Sequence, residues 1–170
     1  MERILVLGPC GSGKSWLSRR LGERWNLPVI HLDQEHWRPG WVEAPKEDMR
    51  IRIEELIARP RWLMDGNYGS SLARRLERAQ LVIDLDYPRH VFFPRMLWRV
   101  LSQYGRTRAD MAPGCPERFD WEFIKYTWRY RIDALPRREA RIAASGVPVL
   151  RFASPKATAD WLAAGAPLPA

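Results

Sequence analysis

The sequence predicts an α/β fold in which a five-stranded parallel sheet carries helices on both faces. Short apolar runs alternate along the chain with longer amphipathic segments, which is the pattern of strands joined by crossover helices. The first run, Arg3–Leu7, ends in a glycine-rich turn that leads directly into a helical pattern. The chain has 170 residues, of which 46% are hydrophobic and 28% charged, so residues 1–170 are expected to form a single globular domain.

The strands and helices follow from their periodicity. Right-handed crossovers, with the glycine-rich turn on the central strand, give an expected strand order of 2-3-1-4-5. Residues 34–44 have neither pattern and are expected to form a loop. The predicted strands are 3–7, 28–32, 61–64, 81–85 and 147–152, and the predicted helices are 14–25, 46–59, 70–79, 88–102, 120–145 (with a break near Pro136) and 157–164.

The composition limits the class of partner without choosing it. The net charge of +8, from 28 Lys and Arg against 20 Asp and Glu, suits nucleic acid, an anionic ligand or a solvated basic surface. Cys10 and Cys115 have the spacing of neither a metal site nor a disulfide framework, which favours a reducing, cytoplasmic location. No apolar run approaches the roughly 18 residues of a membrane span, so no membrane contact is expected.

The turn after the first strand has the composition of a phosphate-binding loop. Residues 8–15 read GPCGSGKS and fit G-x-x-x-x-G-K-[ST]. In such a loop the backbone N–H groups converge on phosphate oxygens, the lysine adds charge at the β- and γ-phosphates, and the serine hydroxyl faces Mg²⁺. An ATP·Mg²⁺ site is therefore predicted, formed by Gly8, Pro9, Cys10, Gly11, Ser12, Gly13, Lys14, Ser15 and Trp16.

Acidic residues follow the second and third strands. Asp65 ends an apolar strand and can hold Mg²⁺ through water, or it can be a turn aspartate before Gly66. Asp33 is positioned to orient or deprotonate an acceptor hydroxyl, or it caps the next turn. Ligands of open α/β sheets bind beyond the carboxyl ends of the strands, so both acids are expected beside the loop. Trp37 and Trp41 can line an acceptor pocket or belong to the core.

Arginines follow the fourth strand. Arg95 and Arg99 lie four residues apart and share a helix face, where one guanidinium can stack on a purine and the other can bind phosphate; two solvated arginines are the alternative. Residues 103–119 form a long aperiodic segment of the kind that makes lids, and it is expected to be mobile without ligand. Phosphoryl transfer needs positive charge and exclusion of water, which arginines on a lid supply. Those predicted to contribute are Arg106, Arg108 and Arg118 in the lid, and Arg129 and Arg131 after it.

The order of these elements resembles that of the adenylate-kinase-like nucleoside monophosphate kinases. The segment LMDGNY lies where those enzymes have an apolar strand ending in Asp-Gly, and LVIDLDYPRHVFFPRMLWR is similar to their fourth strand and following helix. The resemblance implies that Arg95 stacks on the adenine of ATP and that Arg99 contacts phosphates. It also implies catalytic roles for Lys14 and Arg99, to which the sequence adds Asp33 and Arg129.

The chain departs from that family after Asp-Gly. Adenylate kinases continue with Phe-Pro-Arg, whose arginine contacts the acceptor phosphate, whereas Asn67 and Tyr68 stand here. Arg74 or Arg75 is positioned to substitute for it. The acceptor can therefore be a small molecule other than AMP.

A closer resemblance covers nearly the whole chain. The segments HLDQEHWRPGW, DGNY and TRADMAPGCPERFD, with the phosphate-binding loop, resemble the small bacterial DNA topology modulation proteins. Two functions stay open: an ATP-dependent kinase of a nucleotide or other small acceptor, and an ATP-binding regulator that binds nucleic acid. We favour the kinase, because the basic residues cluster where a kinase needs them and no nucleic-acid-binding motif is present in the sequence.

Overall fold

The computed structural model describes residues 1–169. Its main sheet has five parallel strands in the order β2-β5-β1-β6-β7, and two further short strands form a separate antiparallel hairpin. Counted along the chain, the main strands follow the order 2-3-1-4-5, so the predicted fold class and order are confirmed. The strands are β1 (Arg3–Leu7), β2 (Val29–His31), β3 (Trp37–Arg38), β4 (Val42–Glu43), β5 (Trp62–Asp65), β6 (Leu81–Leu85) and β7 (Val149–Phe152).

Eight helices connect the strands and cover the sheet. The expected helix 120–145 is divided at Ala134, because Pro136 lies in the first turn of a new helix, where its missing N–H does no harm. Among residues 1–169, no helix is both long enough and apolar enough to cross a membrane. The helices are α1 (Lys14–Trp25), α2 (Leu32–His36), α3 (Lys46–Ala58), α4 (Gly69–Arg78), α5 (Arg89–Ser102), α6 (Trp121–Asp133), α7 (Leu135–Ser145) and α8 (Pro155–Ala163).

The sheet is buried on both faces by separate apolar layers. Successive strand residues point to opposite faces, so Leu5 and Leu7 of β1 pack with α3, α4 and α7, whereas Ile4 and Val6 pack with α1 and α8. Parallel strands bring the carboxyl ends of β1, β2 and β5 to one edge, where the glycine-rich turn also lies. The core therefore fixes the edge at which a site can form.

Residues 34–44, expected as a loop, contain the end of α2 and the β3–β4 hairpin. The predicted lid, residues 103–119, packs against this hairpin. The indole N–H of Trp41 donates to the Pro116 carbonyl at 2.9 Å, and the Gly40 amide donates to the Gly114 carbonyl at 2.8 Å. The apolar part of the contact is formed by Met111, Ala112 and Cys115 with Trp37 and Trp41.

Candidate active site

The loop between β1 and α1 is shaped by backbone conformation. Gly8, Gly11 and Gly13 have φ of 145°, 85° and 91°. A Cβ on Gly11 would lie 2.2 Å from the carbonyl oxygen of Phe92 in α5, so only glycine fits there. The Lys14 ammonium donates to the Pro9 carbonyl at 3.0 Å and lies over the loop. The loop thus has the form of a phosphate cradle.

The segment after β5 is joined to this loop by Asn67. Its side-chain amide donates to the Gly8 carbonyl at 2.9 Å, and its side-chain oxygen accepts from the Gly8 amide at 3.3 Å. The two bonds fix the start of the loop to β5. Asn67 stands where adenylate kinases have another residue, so the family comparison gave no indication of this role.

A buried arginine holds the same segment from behind. Arg75 is fully buried, and its guanidinium donates to the carbonyl oxygens of Gly66, Asn67 and Tyr68. Burial lowers the pKa of Arg75 to about 9. Arg74 is exposed and pairs with Glu54 and Glu77. Neither arginine therefore takes the acceptor-phosphate position that the sequence suggested for them.

Asp33 lies in the first turn of α2, two residues after the end of β2. The Tyr68 hydroxyl donates to its carboxylate at 2.5 Å. Burial and the nearby carboxylate raise the pKa of Tyr68, so its phenol stays protonated as a donor. The φ of Tyr68, 23°, is unusual for a non-glycine residue, and the bonds from Arg75 and to Asp33 hold it there. Asp33 is thus half-buried in a fixed orientation.

Asp65 ends β5 beside His31 of β2. The His31 Nδ1 atom lies 2.9 and 3.0 Å from the two carboxylate oxygens. Burial alone would lower the pKa of His31, but the hydrogen bond and charge of Asp65 raise it overall. The Asp65 side chain is 6% exposed, so it is set back from solvent at the carboxyl edge of the sheet.

A lid carboxylate, which sequence reasoning missed, lies beside Ser15. Burial alone would raise the pKa of Asp110, but the charge of Arg108 and the nearby Ser15 hydroxyl lower it. Arg108 donates to Asp110 at 2.7 Å and to Glu117 at 2.8 Å. The aperiodic lid sequence gives no signal for this placement, because it depends on how the lid folds back.

These elements surround a cavity of about 720 Å³. Its lining includes Cys10 and Lys14 of the loop, and Asp33 with Trp37 and Trp41. The placement of both tryptophans in its wall supports the first of their two interpretations, although they also pack on the lid. The remaining charged and aromatic lining comes from His36, Glu43, Tyr68, Arg99, Arg108, Glu117, Arg118, Asp120, Phe123, Tyr126, Tyr130, Arg137, Arg138 and Arg141.

Several predicted side chains do not line the cavity, namely those of Trp16, Arg95, Arg106, Arg129 and Arg131. Arg95 is exposed on α5, whereas Arg99 lines the cavity and its Nε atom is 3.5 Å from Glu117. Arg129 is exposed on α6 and pairs with Asp133 at 2.6 Å. The Trp16 side chain is 51% exposed and lies against Arg20. Whether these side chains face the cavity depends on how each helix is rotated about its axis. The spacing of the arginines in the sequence does not predict that rotation.

The cavity is closed by α7, whose arginines sequence reasoning did not single out. Arg138 is 4% exposed and donates at 2.7 Å both to Asp84 of β6 and to the Tyr130 hydroxyl. Burial raises the pKa of Asp84, against the lowering effect of Arg138 and Arg151. Arg137 and Arg141 lie on the same helix and line the cavity.

Known structures share this fold. A shikimate kinase from Acinetobacter baumannii, solved in complex with shikimate, superposes with a TM-score of 0.57 at 16% identity, over 99% of this chain and 96% of that chain. A gluconokinase from Sinorhizobium meliloti 1021 gives 0.53 at 20% identity, over 92% and 86%. A shikimate kinase from Bacteroides thetaiotaomicron gives 0.52 at 18% identity, over 88% and 85%. The fold is that of the small P-loop kinases.

The comparisons go no further than the fold. No protein-family model matches the chain, and no curated protein matches it. The resemblance to the DNA topology modulation proteins is therefore not confirmed, whereas the broader resemblance to small P-loop kinases agrees with the solved structures.

Proposed function

We propose that this protein is an ATP-dependent phosphotransferase that acts on a small acceptor. The observation that carries the proposal is the cavity, which is lined by Lys14 of the phosphate cradle together with Asp33 and Arg108. Its volume of about 720 Å³ suits a small molecule. The names of the solved neighbours, shikimate kinase and gluconokinase, support the same class of reaction.

The residues divide the reaction between them. The backbone of residues 8–15 and the Lys14 ammonium bind the β- and γ-phosphates, and Arg99 and Arg108 stabilise the charge of the group in transfer. Asp33 accepts the proton of an acceptor hydroxyl. The oxygen of that hydroxyl bonds to the γ-phosphorus of ATP, and the bond between the γ-phosphorus and the leaving oxygen of ADP breaks. Tyr68 holds the carboxylate in position for that step.

The donors near the loop fit Mg²⁺ that arrives with the nucleotide. The Ser15 hydroxyl and the carboxylates of Asp65 and Asp110 are hard oxygen donors, which Mg²⁺ prefers. Within residues 1–169, no group of three or more His, Cys, Asp or Glu side chains is placed to hold a metal by itself. Ser15, Asp65 and Asp110 would hold such an ion beside the phosphates, where it would supply neutralisation of phosphate charge.

An acceptor screen tests the proposal. Purified protein is incubated with ATP·Mg²⁺ and panels of nucleotides, sugar acids, hydroxy acids and sugars, and ADP release is measured together with the phosphorylated product. We expect at least one acceptor to give both in equal amounts. ADP release without any transfer product would contradict the proposal.

The nucleic-acid alternative keeps only the net charge of +8 in its favour. Several of the basic side chains pair with carboxylates within the chain, such as Arg131 with Asp86 and Arg151 with Glu139, and are less available to the phosphates of a nucleic acid. A salt titration of duplex DNA binding separates the two functions. A steep log–log slope would favour the regulator, because it reports direct contacts to phosphates.

A further inference from the structure

We infer that a second copy of this chain binds to the exposed side of α5 and α6, so that the protein forms a two-fold dimer in which both copies contribute the same surface. The inference goes beyond the proposed function, because it concerns how the protein assembles and not what it phosphorylates. We call this surface the α5–α6 face, and it consists of the exposed side chains of Trp98, Leu101, Phe119, Trp121, Trp128 and Ile132.

The outer side of α6 is apolar where a surface helix is normally polar. Trp121, Lys125, Trp128 and Ile132 follow the spacing i, i+4, i+7 and i+11, which places them on one side of the helix. Trp121, Trp128 and Ile132 are all exposed. The buried residues of α6 are Ile124, Thr127 and Tyr130, on its other side. The fold therefore covers one apolar side of α6 and leaves a second one uncovered.

Helices α5 and α6 pack side by side in opposite directions. The ring centroids of Phe93 and Trp128 are 5.0 Å apart, and the Arg99 guanidinium lies 5.7 Å from the centroid of the Phe123 ring. Residues later in α5 thus meet residues earlier in α6. The C-terminal end of α5 therefore lies level with the N-terminal end of α6.

Large apolar side chains from both helices are exposed at this junction. Leu101 lies one turn beyond Leu97, which packs on the apolar cluster between α5 and α6. Trp98 is exposed one turn before Leu101. From the other helix, the rings of Phe119 and Trp121 stack with their centroids 6.5 Å apart and 18° between their planes. The exposed side of α5 thus continues the apolar side of α6.

The size of the α5–α6 face suits a protein partner. Its six side chains are each between 50% and 71% exposed. An aromatic side chain has about 150–250 Å² to bury, so the four aromatic members alone expose roughly 500 Å². A specific interface buries about 1,000 Å² or more, counted over both partners. Two copies of the face reach that area before Leu101 and Ile132 are counted.

The charges around the face favour a second copy over an anionic partner. The ion pairs beside it are Glu122 with Lys125, Arg129 with Asp133 and Arg118 with Asp120. Among the described residues of α5 and α6, Arg95 is the one exposed cation without a carboxylate partner. A protein of net charge +8 repels its own copies, and two copies approach most easily where local charges are balanced. A nucleic acid or an anionic bilayer would gain most from unpaired cations instead.

A partner on this face leaves the cavity accessible. Arg99 of α5 and Phe123 and Tyr130 of α6 line the cavity, and none of them belongs to the α5–α6 face. Residues 103–119 join the two helices, so a dimer holds the helix at each end of the lid. The dimer is compatible with phosphoryl transfer and does not depend on it.

Sedimentation velocity at increasing protein concentration tests the inference. The chain has a mass of 19.9 kDa, so a dimer sediments with twice that mass. We expect the dimer to predominate at about 10 µM and above, which corresponds to an interface of modest affinity.

Two variants of the face have a matched control elsewhere in the chain. Trp98→Lys and Ile132→Lys each add a cation to the face in both copies, and each should weaken the dimer about tenfold or more. Both side chains are exposed, so the fold should survive, and circular dichroism checks this. Ile51→Lys makes the same change at an exposed isoleucine of α3 and should leave the dissociation constant within twofold. The control also carries the same added net charge as the two face variants.

Each result decides for or against the dimer. A monomer at every concentration up to about 100 µM would overturn the inference. An unchanged dissociation constant in both face variants would also overturn it, as would an equal loss in Ile51→Lys, which would indicate general charge repulsion. Co-sedimentation with vesicles of phosphatidylserine and phosphatidylcholine is the check for a lipid partner, and a monomer that binds them would replace the second copy with a membrane surface.

Discussion

The two sides of the cavity are held in place by different forces. On the loop side, three glycines with positive φ and the close approach of Gly11 to Phe92 fix the path of the backbone. On the lid side, position depends on side-chain charges, with Arg108 between Asp110 and Glu117. The glycine loop is therefore a rigid binding surface, whereas the lid contributes a set of ion pairs that a charged ligand can rearrange.

Burial strengthens that contrast. The side chains of Arg108 and Glu117 are 15% and 5% exposed, so each needs the other to offset its loss of hydration. Arg99 shares the same carboxylate at 3.5 Å. An incoming phosphate competes with Glu117 for two guanidinium groups, and we expect the lid side to adjust when substrates bind. The glycine loop has no comparable freedom.

The largest effect should follow removal of the one strong charge on the loop side. Lys14→Ala takes the ammonium from the β- and γ-phosphates, and we expect phosphoryl transfer to fall by about 10³-fold or more. The fold should survive, because the one hydrogen bond of the ammonium group within residues 1–169 is to the Pro9 carbonyl. Transfer is measured with the acceptor from the screen, and circular dichroism reports the fold. Activity near that of the wild type would refute the role of the loop in binding ATP.

The variant Asp33→Asn tests whether Asp33 acts in catalysis or only caps the turn. General-base catalysis contributes about 10²–10⁴-fold, so transfer should fall by that factor while ATP affinity stays within a few-fold. Asparagine caps a turn as well as aspartate does, so a capping role predicts almost no change.

Tyr68→Phe is the matched comparison for Asp33. It removes the hydrogen bond at 2.5 Å and keeps the carboxylate, so we expect a smaller loss than that of Asp33→Asn. Wild-type transfer rates in Asp33→Asn would leave Asp65 as the strand-end acid with a part in the chemistry.

The rigidity of the loop can be tested by comparing alanine substitutions at two of its glycines. Gly11→Ala places a Cβ 2.2 Å from the Phe92 carbonyl, whereas Gly13→Ala meets nothing within 4 Å, and both residues have positive φ. Both variants share the cost of the strained φ, and Gly11→Ala should lose about 1–3 kcal/mol more through steric overlap. Urea unfolding of the two variants gives the difference directly. Equal free energies of unfolding would show that α5 moves at Phe92 to make room for the added Cβ.

Sequence reasoning succeeded where the structural signal is local. The strands, the loop at residues 8–15 and the positions of Asp33 and Asp65 at the sheet edge follow from short motifs and alternation. Asp33 nevertheless lies in α2 and not at the strand end, because β2 ends at His31. The β3–β4 hairpin has two residues in each strand, which is too short for a periodic pattern.

The arginines show where such reasoning ends. Arg129 was predicted to act in catalysis, yet it pairs with Asp133 on the exposed side of α6, while Arg137 and Arg141 of α7 reach the cavity. Their sequence environments are alike, and all are basic positions on helices after the lid. Which of them faces the cavity depends on the break at Ala134 and on the rotation of each helix against the sheet, and both are set by tertiary packing.

The smallest expected effect concerns the pair of His31 and Asp65 at the edge of the sheet. The pKa of His31 is raised in the folded protein by Asp65 and, more weakly, by Asp110, against the opposing effects of burial and Arg19. Because the pKa is higher in the folded protein than in the unfolded chain, protonated His31 stabilises the fold. This contribution is fully present below the ordinary histidine pKa of 6.5 and is lost as the pH rises through the folded-state pKa. His31→Gln should therefore destabilise more at pH 5.5 than at pH 9, by about 1–2 kcal/mol. Urea unfolding without Mg²⁺ or nucleotide measures this difference, and His90→Gln, at an exposed histidine, is the control. A His31→Gln effect that is the same at both pH values would mean that the pair is a neutral hydrogen bond with no part in the pH dependence of stability.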